Sequence, residues 1–469
     1  MLERLRAALG PDAVRAGRDT PFRLRGAPPV AVIAPADAGQ AAEALRFCSA
    51  ERVTVRLAGA GTWLHAGPPH PADVVLTAER LTGILEYEPA DLVVAAAAGT
   101  PLARLDAVLL PNLQFFPVRP PADTRATIGG MIATASAGPL RLGCGTPRDH
   151  VLGLQVVTGD GRVLDFGGRV VKNVAGYDLV RPLVGSGGTL GFITRAFLRL
   201  RPLPDRDLTA VFAAPSSAPL VAAAASLAAG WPVAVELFDP TTARDLLSGH
   251  RGWLLAARWH GNAAFAEFIT HAVTTHELRP EILDDARAAT LWSALEPLEA
   301  TAAAAFRLTA LPDRLPNLIE AAGQLVDPSA GISILRSDNG FSDLSGTRWR
   351  LAAHARSGIV RVWTEDASGI RTDRLPARYV TVRQKLEGTA TIRALVLPPT
   401  AGANVPGTGG QVVDGWDAAS ALSPVPSTAG PEPGASVDPV VRLNRGLRMA
   451  FDPVGVFAAK PGPGSVEAG

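Results

Sequence analysis

LAGAGTW (57–63), ATIGGMIATASAGPLRLGCGT (126–146), GGRVVKNVAGYDL (167–179) and VGSGGTLGFIT (184–194) are the stretches that decide the fold of this chain. Each sets glycines beside strand-like segments. Glycine lets the backbone approach a ligand closely and adopt positive φ. Successive free N–H groups in such loops form concavities that bind anions. Four such stations in the first two hundred residues exceed what one phosphate cradle needs. They imply a long, phosphate-containing cofactor laid against the backbone at several points.

Outward from the first station, Val30–Ile33 reads as a short strand, Asp37–Ala50 as a helix and Val53–Leu57 as a second strand. This is a β-α-β opening, and LAGAGT follows its second strand. It is not GxGxxG, and no acidic residue about twenty positions on has the right context, which argues against a nicotinamide-binding Rossmann domain. Val74–Thr77, Gly83–Glu88 and Leu92–Ala97 read as further strands, and Leu102–Leu110 as a helix with Pro101 in its first turn. Leu154–Val157 and Val163–Phe166 flank TGDG (158–161), a hairpin signal. Phe192–Leu200 alternates with period two, hence a strand. RPLPD (201–205) closes a first domain, 1–203.

Each station also has a plainer reading. ATIGGMIATASAG could be a buried small-residue helix, VVKNVAGYDL a solvated loop and GSGGTLGFIT an ordinary hairpin. In the second station Thr127, Thr134 and Ser136 set hydroxyls among Gly129, Gly130 and Gly138, which suits a ring system and its polar atoms.

Residues 206–397 read as a second domain. LTAVFAA, WLLAARW, FRLTAL, WRLAAHA, GIVRVWT and ATIRALVL are strand-like, with helical stretches such as Ala263–Val273 and Leu315–Leu325 between some of them. Without a βαβ repeat, this predicts an antiparallel sheet with helices on one face. Residues 398–437 are rich in Pro, Gly, Ser, Ala and Thr and read as a disordered linker. In the C-terminal segment, 438–469, Val440–Phe451 predicts a short helix ended by Asp452-Pro453.

With 469 residues there is room for two or three domains. Lys+Arg number 45 and Asp+Glu 44, a balance that argues against a dedicated nucleic-acid binder. Cys48 and Cys144, the two cysteines, lie far apart and give neither a disulfide framework nor an iron–sulfur cluster. Their scarcity fits a reducing compartment. MLERLRAALGPDAVR lacks an apolar signal core, and the uncharged run 208–235 is broken by prolines and serines, so neither a signal peptide nor a membrane span is expected.

Taken together, the stations resemble the FAD-binding domain of the p-cresol methylhydroxylase and vanillyl-alcohol oxidase type over residues 25–203. ATIGGMIATASAGPLRLGCGTPRDHVLG and GGRVVKNVAGYDLVRPLVGSGGTLGFIT are similar in particular to the FAD-binding subunit of bacterial glycolate oxidase, and RMAFDPVGVF (448–457) to its terminal segment. The resemblance implies an α+β fold: a two-part FAD-binding domain followed by the antiparallel-sheet α+β domain. It implies that Gly59, Ala60, Gly61 and Thr62 hold the FAD pyrophosphate, with Trp63 beside them as a further cofactor-binding residue. Thr127, Ile128, Gly129, Gly130, Ala133, Thr134 and Ser136 would line the flavin, and Gly191 and Ile193 would meet the adenosine end. Three departures stand out. LAGAG replaces a loop that commonly has an arginine and a pure glycine run. Thr62 stands where some relatives carry a histidine that attaches FAD covalently, so noncovalent FAD is expected. Gly187 replaces a larger residue.

Dehydrogenases of 2-hydroxy acids on this fold carry a metal-binding histidine cluster, and no histidine pair here sits at HxxxH or HxH spacing. No metal is expected, and sequence spacing assigns no catalytic base. The resemblance implies a flavoprotein subunit that oxidises glycolate or another small 2-hydroxy acid. Its partners would be a larger FAD subunit carrying the substrate site and an iron–sulfur subunit, in the cytoplasm with peripheral attachment at the inner membrane. A stand-alone FAD oxidoreductase and a non-catalytic scaffold subunit are the alternatives.

Overall fold

Asp37 starts the first long helix: its carboxylate accepts the Gln40 N–H at 2.8 Å, satisfying one of the free donors of the first turn. The helix, Ala38–Ala50, buries Ala41, Ala42, Ala44, Leu45 and Cys48 against the sheet below. The structure, a computed structural model, describes residues 1–24, 27–62, 64, 72–120, 125–169, 177–227, 230–295, 302, 304–326, 341–342, 348–364, 390–396 and 439–457. The linker expected at 398–437 lies outside them.

Two sheets build the first domain. The first has strands β1 (Val14–Ala16), β2 (Ala31–Ile33), β3 (Val55–Ala58) and β4 (Val74–Thr77), in the order β1-β2-β4-β3. β2 and β3 both run parallel to β4, as a β-α-β opening requires. The second has β5 (Ile84–Glu88), β6 (Val93–Ala97), β8 (Val151–Val157), β9 (Val163–Gly167) and β10 (Phe192–Arg199), in the antiparallel order β5-β6-β10-β8-β9. A short ribbon, β7 (Gln114–Phe115) with β11 (Arg201–Pro202), ties RPLPD back to this domain. Pro101 stands at the cap of helix Leu102–Leu109 rather than in its first turn.

The second domain is one antiparallel sheet: β12 (Arg206–Ala214), β13 (Ala234–Phe238), β14 (Trp253–Gly261), β15 (Glu281–Leu283), β16 (Ala304–Ala310), β18 (Arg348–His354), β19 (Ile359–Thr364) and β20 (Ala390–Val396), with β17 (Phe341–Ser342) on β18. Helices cover both faces, not one as expected. Ser217–Ser226, Ala263–Thr274 and Leu315–Val326 pack on the face carrying Val235, Leu237, Leu255 and Val360. Pro240–Leu246 and Asp285–Ala294 pack on the opposite face, with Ala234, Phe238, Leu254 and Trp363. The reason is legible in β14: WLLAA (253–257) is an apolar run buried at every position, the pattern of a strand covered on both sides.

The domains meet where Gly143 donates its N–H to the Val233 carbonyl at 3.1 Å. A Cβ on Gly143 would stand 2.6 Å from Val233 Cα, so only glycine allows this approach. Helix Pro439–Phe451 and the turn after it return to the first domain, where Phe451, Val456 and Phe457 join its core. No described helix is long and apolar enough to cross a membrane.

Candidate functional site

Between the two sheets of the first domain, three of the four glycine stations converge on an open cleft. Its walls are the loop after β3 (Gly59, Ala60, Gly61, Thr62, Leu64), the helix Ile128–Thr134 with its cap (Thr127, Gly129, Gly130, Ala133, Thr134), and the approach to β10 with its first residues (Gly187, Gly188, Gly191, Phe192, Ile193). Arg56, Leu57 and Ala58 on β3, and Ala78, complete it.

Packing fixes this convergence. A Cβ on Gly59 would lie 2.1 Å from Thr127 Oγ1, so glycine alone lets the first loop touch the second station. Thr127 in turn accepts the Gly130 N–H at 3.2 Å and caps its helix. Thr77 donates its hydroxyl to the Gly59 carbonyl at 2.8 Å, fixing the loop from below. Gly187 donates its N–H to the Ala133 carbonyl at 2.7 Å, joining the fourth station to the second. Gly61 has φ +79° and Gly188 φ +78°, the left-handed region that favours glycine.

Of the residues singled out from sequence, Gly59, Ala60, Gly61, Thr62, Thr127, Gly129, Gly130, Ala133, Thr134, Gly191 and Ile193 line the cleft. Ile128 does not: it is fully buried in the core. Ser136 stands behind Thr134, whose hydroxyl lies 3.0 Å from its own. Trp63 lies outside the described residues, as do Lys172 and Asn173 of the third station. The described end of that station turns to solvent: Tyr177 is 94% exposed and Asp178 pairs with Arg181. Arg56, Leu57, Ala58, Leu64, Ala78, Gly187, Gly188 and Phe192 were not anticipated as cleft residues. Strand residues two apart share a face, which pairs Arg56 with Ala58 and was the available signal.

The cleft suits an elongated anionic cofactor. Its lining residues are mostly glycines, threonines and small or apolar side chains, with one arginine, Arg56, among them. Burial pushes the Arg56 pKa down, as expected for a charge held away from water. Burial, with the Asp73 charge nearby, pushes the Cys48 thiol up to about 12, and burial raises that of Cys144, which disfavours the thiolate at both.

A second polar group is buried in the other domain. Glu236 on β13 accepts from His354 Nδ1 on β18, and Arg361 on β19 comes within 3.6 Å of the other Glu236 oxygen. Arg141 of the first domain feels both Glu236 and Arg361. Burial, with the guanidinium groups of Arg361, Arg141 and Arg307, holds the His354 ring well below the usual histidine range. Histidine spacing along the chain does not reveal this group. Its members lie far apart in the chain, one per strand.

Comparison with known proteins agrees with the geometry. Residues 29–167 match the FAD binding domain family. Glycolate oxidase subunit GlcE of Escherichia coli strain K12 is 47% identical over 128 residues, 27% of this chain and 37% of that protein. D-lactate dehydrogenase of Archaeoglobus fulgidus is 40% identical over 179 residues, 38% of this chain and 40% of that one. Glycolate oxidase subunit GlcD of Bacillus subtilis strain 168 is 39% identical over 183 residues, 39% of each chain. The matched stretch thus spans 37% to 40% of these curated relatives' length. A solved structure of p-cresol methylhydroxylase with substrate bound superposes with a TM-score of 0.67 at 14% identity, covering 97% of this chain and 94% of that one. This chain therefore carries an FAD-binding domain of the p-cresol methylhydroxylase type, and FAD is its cofactor.

Proposed function

We propose that the chain is the FAD-binding subunit of a heteromeric glycolate (2-hydroxy acid) oxidase, acting on a CH–OH group together with partner subunits. The observation that carries this reading is the glycine-walled cleft, in a chain that is 47% identical to GlcE over 128 residues. The partners are a larger FAD subunit bearing the substrate site and an iron–sulfur subunit. The complex works in the cytoplasm and is held at the inner membrane through those partners.

FAD, when bound, supplies a hydride acceptor for oxidation of the carbon bearing the hydroxyl group. The chain's own residues bind and orient it. Backbone N–H groups of Gly59, Ala60, Gly61 and Thr62 face the pyrophosphate, a task that needs no lysine. Thr127, Gly129, Gly130, Ala133 and Thr134 line the flavin, and Gly191 and Ile193 meet the adenosine end. Ile128 and Ser136 support this wall from behind. Leu57, Ala58 and Phe192 keep water from the cleft walls. Thr62 offers no ring nitrogen for a covalent link, so the cofactor is held noncovalently.

The test is the visible spectrum of the purified full-length chain, followed by anaerobic glycolate or D-lactate with and without partner subunits. Bound flavin that stays oxidised until the partners are added is the expected result. Bleaching by substrate in the isolated chain would make it a stand-alone oxidoreductase. A colourless chain that still captures the partners would make it a scaffold.

A further inference from the structure

The glycine loop LAGAGT carries no cation, yet the cleft does. Arg56 lies on β3 two residues before Ala58, so both side chains leave the strand on one face. That face is apolar. Arg56 stands opposite Val75 of β4, and Val75 clusters with Phe22 and Val32, against which Ala58 and Leu64 also pack. Arg56 thus borders the cleft beside a hydrophobic floor.

Arg119, Arg258 and Arg350, also partly buried, pair with the carboxylates of Asp106, Asp207 and Asp245 in turn. Among the described residues Arg56 has neither a hydrogen bond nor an ion pair, and desolvation is the sole influence on its pKa. A desolvated cation without a counter-ion is costly, and an arriving anion offsets part of that cost. The charged group of FAD is its diphosphate.

We infer that Arg56 is the cationic anchor of the FAD diphosphate, supplying the charge that the adjoining glycine loop lacks. Arginine suits this role because its planar fork presents paired donors to phosphate oxygens. The backbone amides give the diphosphate its shape-matched cradle, and Arg56 gives it charge. The inference rests on FAD binding alone, so failure of the glycolate test leaves it standing.

The experiment uses the full chain stripped of flavin. Dissociation constants for FAD and for riboflavin, which has no phosphate, are measured by fluorescence at several salt concentrations, for wild type, Arg56→Ala, Arg56→Gln and Arg56→Lys. Losing a charge-assisted hydrogen bond predicts about tenfold to a hundredfold weaker FAD binding in Arg56→Ala and Arg56→Gln. Their salt dependence should be shallower than wild type, riboflavin affinity unchanged, and Arg56→Lys intermediate. Wild-type FAD affinity in Arg56→Gln, or an equal loss for FAD and riboflavin, overturns the inference. If the neutral variants fail to fold, inorganic diphosphate decides on the wild-type apo chain and on Arg56→Lys. It must compete with FAD, and more weakly in the lysine variant; no competition, or equal competition, refutes the anchor.

Discussion

Glu236 and His354 stand opposite each other in register across β13 and β18, and the histidine Nδ1 donates to the Glu236 carboxylate at a point where the two residues are 1% and 3% exposed. The carboxylate is the negative centre of a group that also includes Arg361 and, from the flavin-binding domain, Arg141. Removing it strands the guanidinium charge. Replacing Glu236 by Gln should therefore lower unfolding stability by about 3–5 kcal/mol, the usual cost of breaking a buried pair from one side. Urea unfolding checks this. A loss below about 1 kcal/mol would mean that water reaches the site and screens it.

Acid should destabilise the chain through histidines held neutral. Burial first, then Arg258 and Arg201, push His260 down to about 4 against the opposing pull of Asp207. The unfolded ring protonates near pH 6.5 while the folded ring stays neutral to about pH 4, so unfolding takes up a proton across that window. Stability is then lost as pH falls from about 6.5 toward 4, and the contribution levels off below. Asp239 and Asp452, whose burial raises their pKa values, act in the opposite direction. The difference between wild type and His260→Gln isolates the effect. Urea midpoints from pH 7 to pH 4.5 should fall less steeply in the variant, and parallel slopes would count against a neutral His260.

Two glycines of the cleft should behave differently on gaining a methyl group. At Gly59 it meets Thr127 Oγ1 at 2.1 Å, the hydroxyl that caps helix Ile128–Thr134. At Gly130 it meets the same oxygen at 3.1 Å, a contact that a few tenths of an ångström relieve. Gly59→Ala should part the first two stations and release most of the flavin. Gly130→Ala should fold with near wild-type thermal stability. Flavin-to-protein absorbance ratios and melting temperatures distinguish the two. Equal flavin content in both variants would show that the Gly59–Thr127 contact does not shape the cleft.

Local signals carried much of this fold. Val74–Thr77 coincides with the expected strand, Asp37 caps the expected helix and Phe192–Arg199 is the alternating strand before RPLPD. Each depends on neighbours along the chain. The apposition of Gly59 and Thr127 does not: it comes from tertiary packing, which glycine spacing alone does not encode. Arg56 was hidden for another reason. A single arginine in a strand reads as a solvent-facing position until its neighbours on that face prove to be Ala58 and Val75. Glu236, His354 and Arg361 are isolated polar residues in apolar strands, and only the register of β13, β18 and β19 makes them a group. The second helical layer was missed because helix content between strands says nothing about which face each helix takes.

The C-terminal segment should govern flavin binding from a distance. β3 lies at the edge of its sheet, and its Val55 N–H donates to the Val456 carbonyl at 3.0 Å. Asp452 holds that turn in shape by accepting the N–H groups of Val456 at 2.7 Å and Phe457 at 2.9 Å. Gly159 donates its N–H to the Phe451 carbonyl at 2.8 Å, and a Cβ there would lie 2.2 Å from the Asp452 carboxylate. Phe451, Val456 and Phe457 are all buried, at about 1.5–3 kcal/mol for each large side chain. Ending the chain at residue 438 removes this cover from the strand that carries Arg56. It should lower the melting temperature, open β3 to proteolysis and weaken FAD binding several-fold. Gly159→Ala and Asp452→Ala should each reproduce part of the effect in the full-length chain, by displacing the turn or unfastening it. Flavin titration and limited proteolysis of the three variants are the measurements. Wild-type FAD affinity in the truncated chain would mean that the β4 side of the sheet alone holds β3 in place.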